Sequence, residues 1–182
     1  MKNINQMKEL IQKTQEYLNY IEENYNNVQK AWNVLKEKCK HETFIYDDYR
    51  YFIIDEMIKG HDLSKLSIEE FVQYRKQFFP TSFEKVEDNK DNFANAWKHH
   101  KDNNHHHWEN WTTFYNDEQF RKRENPYFSE VHFVCMICDW MAMSMKFGDT
   151  PREYYEKNKN KIQLPKNFIP WMYDIFNELE KG

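Results

Sequence analysis

The sequence predicts an all-α fold in a single helical domain. No segment alternates apolar and polar residues as a half-buried strand would, and apolar residues instead recur at steps of three and four. A chain of 182 residues is long enough to bury a substantial core in one domain. We therefore expect one domain over residues 1–182, with an N-terminal helix over 1–40, a core over 41–160, and a linker and helix over 161–182.

The first helix is predicted to be long because residues 4 to about 39 contain neither glycine nor proline. Its apolar residues fall on one face, opposite a face of Lys, Glu, Gln and Asn. We expect this face to pack on the domain; the alternative is that part of it pairs with a second copy and forms a homodimer. The apolar positions are Met7, Leu10, Ile11, Leu18, Ile21, Tyr25, Val28, Trp32, Leu35 and Cys39.

Capping residues mark the starts of the next helices. Asp47 or Asp48 can cap a helix that runs to about residue 58, and Gly60 is placed to let the chain leave it. The capping box Ser67-Ile68-Glu69-Glu70 predicts a helix that Pro80 stops. The inner face of the helix after Asp47 is predicted to hold Tyr49, Phe52, Ile53 and Met57.

The second half contains a helix that is apolar nearly all round. Residues 102–128 lack periodicity and are predicted to form a long, partly ordered connection. Ser129 can then cap the apolar helix, which Gly148 ends, and Thr150-Pro151-Arg152-Glu153 has the residues that begin another helix. A linker before the last helix is expected between Pro165 and Pro170.

Composition limits the classes of function. A net charge of −4 and a pI of about 6.1 argue against a nucleic-acid polymer as partner, but not against a small phosphorylated substrate. The sequence has neither a secretion signal nor an apolar run of membrane-spanning length, so we expect a cytoplasmic protein without a membrane partner. Cys135 and Cys138 are expected to be buried helical thiols, because a zinc knuckle would need a second such pair.

The stretch Gly60-His61-Asp62-Leu63-Ser64-Lys65 carries the strongest indication of chemistry. An imidazole and a carboxylate from adjacent positions are ligand types that hold transition metals. His41 precedes this stretch, a histidine-rich segment over 99–107 follows it, and Asp139 lies within the apolar helix. An aspartate on a buried helix needs a cation or several hydrogen-bond donors.

In this order, the residues resemble the HD-domain superfamily of metal-dependent phosphohydrolases, in an uncharacterised bacterial and phage branch. The run His61-Asp62-Leu63-Ser64-Lys65 is similar to the family's extended motif, with Ser64 where glycine is common. The resemblance covers about residues 41–155 and implies an HD-like helical bundle.

The resemblance also implies a set of site residues. It makes His41, His61, Asp62 and Asp139 the ligands of one ion, with Asp62 also catalytic and Lys65 a catalytic contact to phosphate. A second ion would take one histidine from each later pair and share Asp62, while His105 is the least expected ligand. The two later pairs are His99 with His100 and His106 with His107.

These features predict a hydrolase that uses one or two divalent ions of Mn, Fe, Co, Ni or Zn. Its substrate would be a small phosphate ester, with a nucleotide as the favoured class, attacked by metal-activated water. One alternative is a module that binds or senses a nucleotide on the same metal scaffold without hydrolysing it. A di-iron oxygenase is the other alternative, since the same ligand types suit iron.

Overall fold

The computed structural model describes residues 3–109 and 126–181, and this part of the chain is helical with no strand. The predicted all-α class and long N-terminal helix are therefore confirmed. Two short 3₁₀ turns cover Leu63–Leu66 and Val86–Asn89. The described α-helices are α1 (Ile4–Lys38), α2 (Thr43–Tyr46), α3 (Asp48–Lys59), α4 (Phe71–Phe78), α5 (Lys90–Asn103), α6 (Pro126–Phe147), α7 (Pro151–Asn158) and α8 (Phe168–Glu180).

The chain divides into two compact units, each built from two stretches. The first unit takes Met1–Tyr25 and Asp62–Asn104, and the second takes Asn26–His61 and His105–Gly182. The chain thus passes from one unit to the other within α1, after His61 and after Asn104. These divisions differ from the predicted subdivisions at residues 40 and 160, and the single domain stays a prediction.

Aromatic residues form the core of the first unit. Tyr17 of α1, Tyr74 of α4 and Ala96 of α5 are buried together. The ring centroids of Tyr74 and Phe93 lie 5.1 Å apart in an edge-on arrangement, which is a favourable geometry for aromatic pairs. Packing of α4 against α5 therefore depends on aromatic side chains.

Helix α6 forms the centre of the second unit, as its apolar sequence predicted. Its buried residues pack against α3, α7 and the aromatic side of α8, where Phe133 stacks on Phe168 at 4.9 Å. A helix that buries most of its circumference must be apolar on all sides. The buried apolar residues of α6 are Val131, Phe133, Val134, Cys135, Met136, Ile137, Cys138, Trp140, Met141 and Ala142.

The predicted inner face of α1 is correct for its later turns and wrong for its first. Val28, Trp32 and Leu35 are buried, whereas Met7 and Ile11 are exposed. The first turns of α1 therefore present apolar side chains to solvent. Pairing with a second copy through this helix stays a prediction.

The capping prediction for α3 is confirmed, and its predicted inner face is correct for two of its four residues. The Asp47 side chain accepts hydrogen bonds from the backbone N–H groups of Tyr49 and Arg50. Ile53 and Met57 are half-buried against the core, as predicted, whereas Tyr49 and Phe52 are exposed, and Ile54 and Ile58 are the fully buried residues. Ile54 and Ile58 are also four residues apart, so their spacing defines a buried side of the helix equally well. Tyr49 and Phe52 lie on the other side.

The predicted start of α7 is confirmed. Thr150 forms the capping box in full, and Pro151 lies in the first turn of the helix.

The starts of α6 and α8 differ from the prediction. Helix α6 already begins at Pro126, so Ser129 lies inside it and does not cap it. Pro170 lies in the first turn of α8 and not before it. Proline is tolerated in this turn because the N–H that it lacks would have no partner within the helix.

The predicted connection over residues 102–128 is shorter at both ends. Helix α5 continues to Asn103, and α6 starts at Pro126. Residues 110–125 lie outside the described residues, so the prediction for them is not assessed.

The prediction that Cys135 and Cys138 are buried helical thiols is confirmed. Cys39, Cys135 and Cys138 are all buried and free of disulfides. Burial raises the pKa of each thiol, which keeps it protonated at neutral pH. Packing therefore accounts for the Cys135–Cys138 spacing.

Among the described helices, none combines the length and the apolar character needed to cross a bilayer. The helix with the most apolar residues, α6, buries them in the core of its own unit.

A bidentate ion pair in the first unit predicts a pH-dependent contribution to stability. Arg75 donates from its two terminal nitrogens to Glu84 at 2.6 and 2.5 Å. These bonds lower the pKa of Glu84 from 4.5 to about 2. A lowered pKa means that the stabilisation is complete above the unfolded-state value and is lost as the pH falls through the folded-state value.

We expect Glu84→Gln to reduce the free energy of unfolding by roughly 3 kcal/mol at pH 7. Urea melts at decreasing pH should show this difference shrinking between about pH 4.5 and pH 2. Glu87→Gln, an exposed change in the same unit, is the control and should alter stability by less than about 0.5 kcal/mol. A Glu84→Gln deficit that does not change with pH would contradict the role of the ion pair.

Candidate metal centre

The turn after α3 presents His61 and Asp62 from a constrained backbone. Helix α3 ends at Lys59, and Gly60 follows it as the C-cap, where the sequence predicted that the chain leaves the helix; the φ of Gly60 is −91°, which any residue can adopt. Asp62 takes the left-handed conformation instead, with a φ of 57°. Aspartate tolerates that conformation better than most residues, but it persists only where surrounding contacts hold it.

Asn104 holds the strained residue in place. Its side-chain oxygen accepts a hydrogen bond of 3.2 Å from the backbone N–H of Asp62. Its side-chain nitrogen donates to Ser64 Oγ at 2.7 Å and to the backbone carbonyl of His100 at 2.8 Å. One buried amide therefore joins the end of α5 to the turn that carries Asp62.

Within the second unit, His61, His106 and Asp139 form a group that we call the His61 cluster. Each offers one ligand atom, and these atoms lie within 4.8 Å of one another. The imidazole rings of His61 and His106 stack at 4.3 Å, and both residues are buried. Asp139 reaches this group from α6, between the buried residues Cys138 and Trp140.

The donor set of the His61 cluster fits a divalent transition metal. Two imidazoles and a carboxylate are a common ligand set for zinc and non-haem iron. Two ligand atoms at about 2.0–2.1 Å from one ion, at a tetrahedral angle, are roughly 3.3 Å apart. The distance from His61 Nε2 to Asp139 Oδ1 is 3.3 Å. These buried groups can therefore hold a metal ion.

Within the first unit, Asp62, Lys65, Glu70 and His100 form a second group, which we call the Asp62 cluster. Asp62 Oδ2 accepts a hydrogen bond of 2.7 Å from Lys65 Nζ, and Asp62 Oδ1 lies 3.3 Å from His100 Nε2. Lys65 is 7% exposed, so it is not a surface lysine. Its ammonium also faces the ring of Tyr20 at 5.5 Å, which favours a buried cation.

Glu70 is fully buried and contacts both histidines of the first pair. Its Oε1 lies 2.8 Å from His99 Nδ1, and its Oε2 lies 2.8 Å from His100 Nδ1. The predicted capping box is therefore wrong, because Glu70 has no side-chain bond to the start of α4, which begins at Phe71. The carboxylate binds imidazoles of α5 instead.

These contacts shift the charge states of both partners. Burial raises the pKa of Glu70, but hydrogen bonds from His100 and His99 outweigh it, and the net pKa is lowered. Burial lowers the pKa of His100, but hydrogen bonds to Asp62 and Glu70 outweigh it, and the net pKa is raised. Glu70 is thus an anion at neutral pH, beside an imidazole that is stabilised in its protonated form.

The structure does not bring His41 to either cluster. His41 is exposed, and its Nε2 lies 3.6 Å from Glu42 and 3.9 Å from Glu178. The predicted ligand set of His41, His61, Asp62 and Asp139 is corrected at His41: the histidine that lies beside His61 and Asp139 is His106. His41 follows α1 in a turn on the surface, so its place in the sequence did not fix its place in space.

The remaining histidines separate into different environments. His99 is partly exposed and bound to Glu70, whereas the ring of His107 lies tilted against that of His106, with centroids 4.3 Å apart. His105 is exposed, and its ring centroid is 5.3 Å from that of His132, which is buried in α6. Among the described residues, neither His99 nor His105 belongs to a group of metal-ligand spacing.

Two residues of the site, Glu70 and Asn104, were not predicted. The spacing of Glu70 from Ser67 fits a capping box, and that motif alone accounts for Glu70 in the sequence. The one available signal was the adjacent pair of histidines on α5, since buried imidazoles need hydrogen-bond acceptors. No comparable signal distinguishes Asn104 from Asn103 in the sequence.

The two clusters are consecutive along the chain, because one peptide bond joins His61 to Asp62. Together they define the class of the protein: an all-helical protein with buried histidine–carboxylate groups suited to a metal ion. The chain belongs to the DUF5662 family, a family of unknown function whose model matches residues 7–180. No curated protein and no solved structure matches the chain.

Proposed function

We propose that the protein is a metal-dependent phosphohydrolase that acts on a small phosphate ester, with nucleotides as the favoured class. The single observation that carries the proposal is the His61 cluster, in which two imidazoles and a carboxylate lie at ligand spacing. The reaction class comes from the resemblance of the motif His61–Lys65 to the HD-domain superfamily. The proposal uses one or two ions of Mn, Fe, Co, Ni or Zn.

In this proposal, His61, His106 and Asp139 hold one ion, and Asp62 with His100 supplies ligands of a second. A bound ion acidifies water toward hydroxide and neutralises charge that develops on a phosphoryl oxygen. Burial of His61 and His106 excludes bulk water from the ligands, which strengthens their electrostatic interactions. His41 and His99 have no part in this ligand assignment.

Lys65 is proposed to contact the phosphate. An ammonium has three donors, and one of them is used by Asp62 at 2.7 Å. The Asp62 bond fixes the position of the nitrogen, and the proposal places a phosphoryl oxygen against this ammonium. The positive charge of Lys65 also reduces the repulsion between the negatively charged chain and an anionic substrate.

The test is phosphate release from a panel of nucleotides and simple phosphate esters, with each metal added in turn to untagged protein. We expect turnover with at least one ion, and loss of turnover in Asp139→Asn. Asp149→Asn, an exposed change that follows the same helix, should retain turnover. Absence of release with every metal and substrate would contradict the hydrolase. A nucleotide that binds and is recovered intact would instead favour the binding module.

One observation favours a second candidate function. Two histidines and one carboxylate, as in the His61 cluster, are also the ligand set of non-haem iron oxygenases. Iron-loaded protein that consumes oxygen and releases no phosphate would select this candidate over the hydrolase.

A further inference from the structure

Glu70 bridges the two imidazoles of the His99–His100 pair. Adjacent residues on a helix point about 100° apart, so two neighbouring histidines do not normally share a partner. Here the two oxygens of one carboxylate reach the Nδ1 atoms of both residues, each at 2.8 Å. The bridge requires Glu70 to be in the interior, and its side chain has no exposed surface.

The bridge determines which nitrogen of His100 remains for other partners. An anionic carboxylate accepts a hydrogen bond, so a neutral imidazole between two carboxylates keeps its proton on the nitrogen that makes the shorter contact. The Nδ1 atom of His100 faces Glu70, and its Nε2 atom faces Asp62 at 3.3 Å. Ser64 Oγ at 3.3 Å and Asn104 Nδ2 at 3.2 Å also lie near Nδ1, but both are neutral and more distant than Glu70. The Asn104 nitrogen donates its two hydrogens to Ser64 Oγ and to the His100 carbonyl at shorter distances.

Histidines that bind metals usually donate their other N–H to a carboxylate or carbonyl, which fixes the tautomer and the ring orientation. We propose that Glu70 is a positioning residue that holds His100 with its Nδ1 protonated and its Nε2 directed at Asp62. His99 then anchors the other oxygen of Glu70 and is not a metal ligand. The inference rests on the proposed metal site for its purpose, but the assignment of the proton does not need a metal.

The first experiment uses metal-free wild-type protein and long-range ¹H–¹⁵N correlation spectra of its imidazoles. His100→Gln identifies the His100 signals. We expect the Nδ1 of His100 to be protonated at neutral pH, and Glu70→Gln to change its ¹⁵N shift. An unprotonated Nδ1 in the wild-type protein would overturn the inference, and this result needs no variant at Glu70 to fold.

The second experiment measures metal affinity in Glu70→Gln. Glutamine has the same shape, but its amide can accept from only one of the two imidazoles. We expect affinity at the Asp62 cluster to fall by about 10–100-fold, as for other residues that orient metal ligands. Binding at the His61 cluster should be unchanged. Glu69→Gln, the neighbouring exposed carboxylate, is the matched control and should bind as the wild type does.

The outcomes separate this inference from the proposed function. Metal affinities within twofold of the wild type in folded Glu70→Gln would overturn the positioning role while leaving the hydrolase intact. Wild-type protein that binds no metal would contradict the hydrolase, whereas the protonation of His100 Nδ1 would still decide whether Glu70 orients the ring. A fall in affinity caused equally by Glu69→Gln would also count against Glu70, since it would reflect charge alone.

Discussion

Asp62→Asn should abolish phosphate release and weaken metal binding at the Asp62 cluster by more than about 100-fold, beyond the usual effect of changing a residue behind the ligands. The change removes the carboxylate charge and one of the proposed ligand atoms. Asparagine is one of the few residues that accept a left-handed backbone, so the φ of 57° can be retained. Alanine at this position would confuse loss of the ligand with backbone strain.

The same change leaves the buried ammonium of Lys65 without its carboxylate partner. Removing one member of a buried ion pair typically costs about 3–5 kcal/mol, so loss of activity alone would not identify a ligand. The double change Asp62→Asn with Lys65→Met removes both charges and should recover part of the stability without recovering metal. Asp102→Asn, at an exposed pair with Lys98, is the control and should retain both. Full metal occupancy in folded Asp62→Asn would contradict the assignment.

Trp140→Ala should reduce the free energy of unfolding by about 3–5 kcal/mol, which is the usual cost of removing a buried tryptophan. Trp140 is 5% exposed, and its ring contacts Tyr154 at 5.2 Å and Tyr155 at 6.1 Å. Its loss would leave a cavity where α6 meets α7. Denaturant melts of metal-free protein measure the change without a contribution from bound ions.

The matched control for Trp140 is Phe147→Ala on the same helix. Phe147 is exposed, so its removal should change stability by less than about 0.5 kcal/mol. A cost below 1 kcal/mol for Trp140→Ala would show that α6 is not the centre of its unit.

Helix positions could be predicted where the sequence carries a local cause. The absence of glycine and proline in residues 4–38 predicted α1, and Thr150 with Glu153 predicted the start of α7. The apolar circumference of α6 predicted its burial for the same reason. The inner face of α3 was not predictable in this way, since Phe52 is as apolar as Ile54 but lies on the exposed side.

The site could be predicted only in part, because metal ligands meet through the tertiary fold. The motif identified His61, Asp62 and Lys65, and the buried position of α6 made Asp139 a candidate. The choice of His106 over His41 depends on where turns place the two imidazoles, which sequence order does not determine. Glu70 was not predicted as a partner of the histidines, because its spacing from Ser67 also fits a capping box.

The left-handed Asp62 shows the same limit at the level of the backbone. Glycine is the usual residue for this conformation, and Gly60 lies only two positions before Asp62. Aspartate adopts it here with its N–H bound to Asn104, a residue 42 positions away in the sequence. A contact of that sequence separation cannot be inferred from local pattern alone.

The most direct test of the metal centre is elemental analysis of untagged protein, together with His106→Ala and the matched change His105→Ala. His106 belongs to the His61 cluster, whereas its exposed neighbour His105 does not. We predict at least one tightly bound transition metal per chain in the wild type and in His105→Ala, and its loss in His106→Ala. Wild-type protein that stays free of metal after incubation with Mn, Fe, Co, Ni and Zn would contradict the account.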